Sequence, residues 1–332
     1  MFLLFLFSLF ALSLAAKHTT PPSGALVVAK SGGKYSKIQD AVNALSSTST
    51  SEQTIFIQSG TYDEQVYIRA LKGPLTIMGY TEDSTLYTKN TVTITHGLSQ
   101  ANTAGGNDMT ATVRAWTTNL KMYNINMVNT YGKGSQALAL SAEATNQGYY
   151  ACQLKGYQDT LLTNTGTQLY SKCFIEGVTD FIFGQHASTW FEQCDIRVLA
   201  ANLGYITASG RDSESDTSYF VVNNSTVAAK VGNTVPDGAF YLGRPWRNYA
   251  RVVFQSTSLS KVINGAGWKV WGTDTPNTDH VLFGEYKNIG DGSKGTRASF
   301  ATKLSSPVNV ETVLGKGWAS AKYVDQEFVK NL

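Results

Sequence analysis

Cysteine, proline and histidine are scarce: the 332-residue chain has three Cys, seven Pro and four His. No cysteine or histidine lies within ligand spacing of another cysteine, which sets a thiolate metal centre aside. No G-x-S-x-G occurs, and none of His18, His96, His186 or His280 sits in a recognisable triad context, so a serine hydrolase lacks its nucleophile elbow and its base. Charge is sparse and nearly balanced, with 27 basic against 24 acidic residues. Without a basic stripe alternating with aromatics, nucleic acid is a poor partner. The one long apolar run, Met1 to Ala16, is shorter than the roughly 20 residues of a spanning helix. It ends in Ser13-Leu14-Ala15-Ala16 before polar Lys17-His18, and residues 1–16 therefore read as a secretory signal peptide. The mature protein is then expected to be extracellular and off the membrane. Residues 17–24 contain Thr19-Thr20-Pro21-Pro22-Ser23-Gly24 and are expected to be a disordered lead. No similar linker follows, so residues 25–332 are expected to form one domain, with a monomer as the default. Asn223-Asn224-Ser225-Thr226 holds two overlapping glycosylation sequons, of which steric overlap admits one glycan.

What the chain does have is a concealed repeat. Its cysteines stand at 152, 173 and 194, twice 21 residues apart, and the flanks repeat with them: Tyr149, Tyr170 and Phe191 before, Leu154, Ile175 and Ile196 after. A period near 20 residues marks a solenoid whose units stack to bury a continuous core. Short β-branched and aromatic segments such as Thr54-Ile55-Phe56-Ile57 and Leu75-Thr76-Ile77-Met78, separated by turn residues, make the units strands. An antiparallel sandwich predicts no such register. Helical spacing is confined to Ile38, Ala41, Val42 and Leu45, after a capping-box pattern at Ser36-Lys37-Ile38-Gln39. A short helix there would shield the first core layer. Stacked cysteines would lie about 4.8 Å apart, so a disulfide joining Cys173 to Cys194 or to Cys152 and a ladder of free thiols are all admissible.

The step that relates the cysteines also relates two acids, because Asp159 and Asp180 each follow a cysteine by seven residues. On adjacent rungs they would face each other across one strand spacing. Two carboxylates so close do not both ionise readily, so one keeps a proton and the other stays charged, which supplies an acid and a nucleophile. Turn aspartates are commoner than catalytic ones, but Phe181-Ile182-Phe183 and Leu161-Leu162 place both acids beside apolar segments, where an uncompensated charge is costly.

Gln136-Ala137-Leu138-Ala139-Leu140, Gly156-Tyr157-Gln158-Asp159-Thr160-Leu161, Asp180-Phe181-Ile182-Phe183-Gly184 and Leu242-Gly243-Arg244-Pro245-Trp246 resemble, in the family's order, the four signature motifs of the pectin methylesterases. Gly60-Thr61-Tyr62-Asp63-Glu64 is similar too, and the likeness spans nearly the whole of the expected mature chain. The fungal or bacterial form, lacking an amino-terminal inhibitor-like region, is the nearer. The resemblance implies an all-β, right-handed parallel β-helix that removes methyl esters from the galacturonate units of homogalacturonan, without metal or cofactor. It makes Asp180 the nucleophile, Asp159 the acid and then base, Gln136 and Gln158 the oxyanion donors, and Arg244 the partner of Asp180. Trp246, Tyr157 and Phe181 become the substrate-binding aromatics. Trp268 and Trp271 are either sugar surface or core, and His186 reads as a loop residue. The family's usual phenylalanine and valine are replaced by Tyr157 and Thr179.

Two other classes compete. A glycosidase also uses paired carboxylates, but an inverting one holds them about 6.5–9.5 Å apart, wider than neighbouring rungs allow. A binding solenoid without catalysis would be indifferent to Asp180→Asn.

Overall fold

The structure, a computed structural model, describes residues 16–330 and 332. The expected signal peptide lies, but for Ala16, outside the described residues. Successive short strands join three parallel sheets in rotation, so that the described residues wind into a parallel β-helix with sheets of eleven, eight and seven strands. The 21-residue step is one turn of the coil: Tyr149 pairs with Tyr170, Leu154 with Ile175, Leu161 with Ile182 and Ile175 with Ile196. Elsewhere the coil is longer, Met127 pairing with Leu154 and Ile196 with Val227, because extra residues enter the loops between strands.

One corner of the coil repeats with little change. Asn124, Ala151, Lys172, Gln193, Asn224, Ser256 and Lys287 all adopt left-handed backbone, with φ between 47° and 54°. Each bends the chain from the eleven-stranded sheet into the eight-stranded one. Inside the coil, like stacks on like. Tyr149, Tyr170 and Phe191 pile up at centroid distances of 4.7 and 5.0 Å, and each large apolar side chain so buried contributes roughly 1.5–3 kcal/mol. Cys152, Cys173 and Cys194 are buried free thiols, which decides between the admissible pairings. Each points its Sγ at a carbonyl of the preceding coil, Cys173 at Tyr149 (3.3 Å) and Cys194 at Tyr170 (3.4 Å).

The amino-terminal helix spans Ile38–Asn43 and buries Ile38, Ala41 and Val42 against the first coil. Its expected capping box does not form. The N-cap is Lys37, so Ser36 stands one residue too early, and Glu64 replaces it by accepting hydrogen bonds from the Ile38 and Gln39 amides at 2.9 Å each. The 17–24 segment is also ordered, contrary to expectation. His18 exchanges backbone hydrogen bonds of 3.0 Å with Thr81, and Ala25 N–H closes a turn on the Pro22 carbonyl. These ladder bonds satisfy backbone that a free lead would leave to water. At the other end of the chain, Val313, Leu314, Tyr323 and Phe328 cover the outer face of the eleven-stranded sheet over Tyr150, Leu169 and Trp190.

Candidate active site

The site stands on the outer face of the seven-stranded sheet, whose strands include Leu140–Ala142, Leu161–Thr163, Thr179–Gly184, Gly204–Ser209 and Phe240–Pro245. Leu161 lies opposite Ile182 and Gln158 opposite Thr179, so Asp159 and Asp180 occupy equivalent places on adjacent rungs. Both are left-handed, with φ of 61° and 49°. Asp is among the few residues that tolerate this region.

At Asp180 the conformation produces a bulge. Thr179 pairs with Tyr205 and Ile182 with Thr207, three residues' advance on one strand against two on its neighbour. The extra residue breaks the alternation, so Phe181 and Ile182 both turn into the core while Asp180 and Phe183 face outward. Gly177 permits this, because a Cβ there would lie 2.3 Å from the Phe181 Cβ. Phe181 is therefore fully buried, and its expected place as a substrate-binding aromatic is corrected: the bulge points its ring inward.

Asp180 is held from one side. Arg244 donates from Nε to Oδ1 (2.9 Å) and from Nη2 to Oδ2 (2.6 Å), a bidentate pair. The guanidinium lies between the rings of Tyr205 (4.1 Å) and Trp271 (4.2 Å), which fix its plane. Asp159 has no such partner among the described residues. Asp159 and Asp180 are 8% and 7% exposed, so both carboxylates lose most of their hydration. Burial, then the neighbouring Asp180 charge, pushes the Asp159 carboxyl well above the usual carboxylate range, against a weaker pull from Arg244. Burial also raises Asp180, but hydrogen bonds and charge from Arg244 draw it back. The pair is thus asymmetric: Asp159 is the harder of the two to ionise, and Arg244 favours the charged form of Asp180.

Around the pair lies a cleft of about 410 Å³ lined by Gln136, Gln158, Arg244, Trp246 and Trp271, with Gln100 and Asn107 on one wall. Its floor is an outward-facing apolar cluster of Ala111, Leu138, Leu162, Phe183 and Ala208, against which Trp246 and Trp271 pack. The Gln136 and Gln158 side-chain amides donate to no protein acceptor among the described residues. Tyr157 lies in an adjoining groove with Val178, Thr179 and Leu203, which meets the cleft at Gln158. Trp268 is core, 1% exposed and stacked on Phe283 at 4.3 Å. His186 opens the strand His186–Glu192 rather than a loop, and pairs with Asp216. Sequence reasoning missed Tyr205, Gln100 and Asn107, which no motif marks. Phe183 and Leu162 could have been found, since each stands three residues past its aspartate.

The pectinesterase family model matches residues 25–316. A pectinesterase of Aspergillus aculeatus is 55% identical over 97% of both chains, and one of Aspergillus niger is 54% identical over 96% of both. Among solved structures, a pectin methylesterase of Aspergillus niger aligns with a TM-score of 0.87 at 43% identity, covering 94% of this chain and all of the other. The carrot pectin methylesterase aligns at 0.82 and 28% identity, covering 92% and 98%. The fold, the four motifs in order and these relatives agree, and the chain belongs to the pectinesterase family.

Proposed function

We propose that Asp180 and Asp159 hydrolyse the methyl esters of galacturonate units in pectin through an acyl-enzyme. The observation that carries this reading is the asymmetry of the pair: two buried carboxylates in register on adjacent rungs, only one of them clamped by an arginine. An Asp180 oxygen attacks the ester carbonyl carbon, and the negative charge moves to the carbonyl oxygen, where the Gln136 and Gln158 amides donate. The carbon–methoxyl bond then breaks and Asp159 gives its proton to the departing oxygen, releasing methanol and leaving an anhydride with Asp180. Asp159, now ionised, takes a proton from water. The hydroxide adds to the anhydride, freeing the galacturonate and restoring Asp180. Arg244 keeps Asp180 ionised for the attack and receives it again as a carboxylate when the anhydride is hydrolysed, and Trp246 and Trp271 wall the sugar site. Tyr157 contacts the polymer in the adjoining groove.

The same register disfavours an inverting glycosidase, since neighbouring rungs lie about 4.8 Å apart and leave no room for its water. Methanol and new reducing ends, measured together on esterified pectin, separate the two. Methanol without reducing ends is expected, and reducing ends alone would refute the esterase.

The apolar Met1–Ala16 segment supports secretion, and no described helix is long and apolar enough to cross a membrane. Residues 25–332 act as one catalytic unit and the protein works as a monomer; a sedimentation mass of two chains would contradict the latter. A glycan, where present, belongs on Asn224. The Asn223 side chain is engaged by Glu192 (2.7 Å) and Gln255 (2.9 Å), whereas Asn224 is exposed at its corner and reaches Glu192 only at 3.5 Å. Peptide mapping after enzymatic deglycosylation should find aspartate at 224 and asparagine at 223.

A further inference from the structure

The outer face of the catalytic sheet continues beyond the cleft. One residue past each strand end, Trp116, Glu143, Asn164, Gln185, Gly210 and Trp246 extend the strand register. Ladder bonds persist there: Glu143 N–H to the Ala115 carbonyl (2.9 Å), Asn164 N–H to Ala142 (3.0 Å), Gly210 N–H to Gly184 (2.8 Å) and Trp246 N–H to Ser209 (3.1 Å). The six form one column with a tryptophan at each end, five rungs or about 24 Å apart. Its middle is polar and joined: Asn164 donates to Glu143 Oε2 (2.9 Å) and accepts from the Gln185 N–H (3.3 Å). At Gly210 any Cβ would meet the Trp246 ring at 2.6 Å and Gln185 Cγ at 2.8 Å, so the ribbon runs closed up to the wall of the cleft.

Its far end is built. Trp116 is 41% exposed and its indole N–H donates to Asp108 Oδ1 (3.1 Å). The other oxygen of Asp108 receives Arg114 Nε (2.9 Å) and Nη2 (2.6 Å), and that guanidinium lies 4.6 Å from the centre of the Tyr67 ring, itself in a 40% exposed residue. A rigid aromatic face, open to solvent and joined to the catalytic cleft by amides, suits a sugar ring and its hydroxyls. Charge sets which sugar. The ribbon carries the carboxyls of Asp108 and Glu143, and its cation Arg114 is taken up by Asp108. A free uronate meets repulsion there, while a methyl ester meets none.

We propose that Trp116, with Tyr67 beside it, is a distal subsite for a methyl-esterified galacturonate unit of the same chain whose ester is cleaved at Asp180. The inference rests on the pectin reading above. Trp116 stands two rungs from Asp159 and three from Asp180 across the sheet, and five residues farther along the strand direction, roughly 20 Å in all, so a dimer seated at the catalytic pair does not reach it and a hexamer does.

The test is kcat/KM for methanol release from fully methyl-esterified oligogalacturonates of increasing length, for the unaltered protein and for Trp116→Ala. The variant should lose on the order of fivefold to tenfold on long oligomers and change less than about twofold on the shortest. On the polymer the loss should shrink as esterification is lowered. Trp116→Gln keeps an N–H donor for Asp108 but no stacking face; it should behave as Trp116→Ala does and serves in its place should that variant fail to fold. Equal losses at every length, or none, would overturn the subsite while leaving the esterase intact. No methanol from the unaltered protein on any oligomer would overturn both.

Discussion

An aspartate at positive φ beside a second buried aspartate is an unfavourable arrangement, and its cost is measurable. Asp159 has its carboxyl raised by burial and by Asp180, so below the unfolded value near pH 4 both folded and unfolded chains hold the proton and nothing is lost. As pH rises, the unfolded chain ionises freely while the folded one resists, and stability falls until the folded pKa is passed. Asp159→Asn does not titrate and tolerates left-handed backbone. Its melting temperature should exceed that of the unaltered protein by a margin that opens as pH rises from about 4 toward neutrality; a margin constant with pH would contradict the assignment. Arg244 gives the converse case. The Lys side chain cannot make the two-pronged bond or fill the slot between Tyr205 and Trp271. In Arg244→Lys the Asp180 carboxyl should rise further, which moves the acidic limb of the pH–rate profile to higher pH and lowers kcat on the order of a hundredfold. An unmoved limb would mean that Arg244 does not hold Asp180 ionised.

At the scale of the element, the helix Ile38–Asn43 depends on a side chain 26 residues away in sequence. Six residues are too few to form a stable helix alone, so the two bonds from Glu64 and the buried face hold it. Glu64→Ala should destabilise the protein by about 1–2 kcal/mol in chemical denaturation without changing methanol release; no change in stability would make the cap incidental. This helix also marks where sequence reading stops. Hydrophobic spacing at Ile38, Ala41 and Val42 is local and was legible, but a cap supplied from Glu64 is a tertiary contact that no local pattern records. The bulge at Asp180 is the same kind of feature. Alternation alone cannot tell that Phe181 and Ile182 both turn inward, because the extra residue is defined only against Tyr205 and Thr207 on the next rung.

Across the whole molecule, legibility followed coil length. Where a turn of the helix is 21 residues, identical side chains recur and the stack of Cys152, Cys173 and Cys194 can be read directly; where loops lengthen the coil, the register persists in space and disappears from the sequence. The two aspartates fall in the regular part, and so their pairing could be anticipated. Gln100 and Asn107 come from an inserted loop and could not. The solenoid thereby places Asp159 and Asp180 on adjacent rungs of one sheet, with Arg244 two rungs beyond Asp180. The most direct test of that arrangement is methanol release from esterified pectin by Asp180→Asn, with folding checked by circular dichroism. The account expects a folded protein slowed by about a thousandfold or more. A folded variant that still releases methanol at a rate near that of the unaltered protein would contradict it.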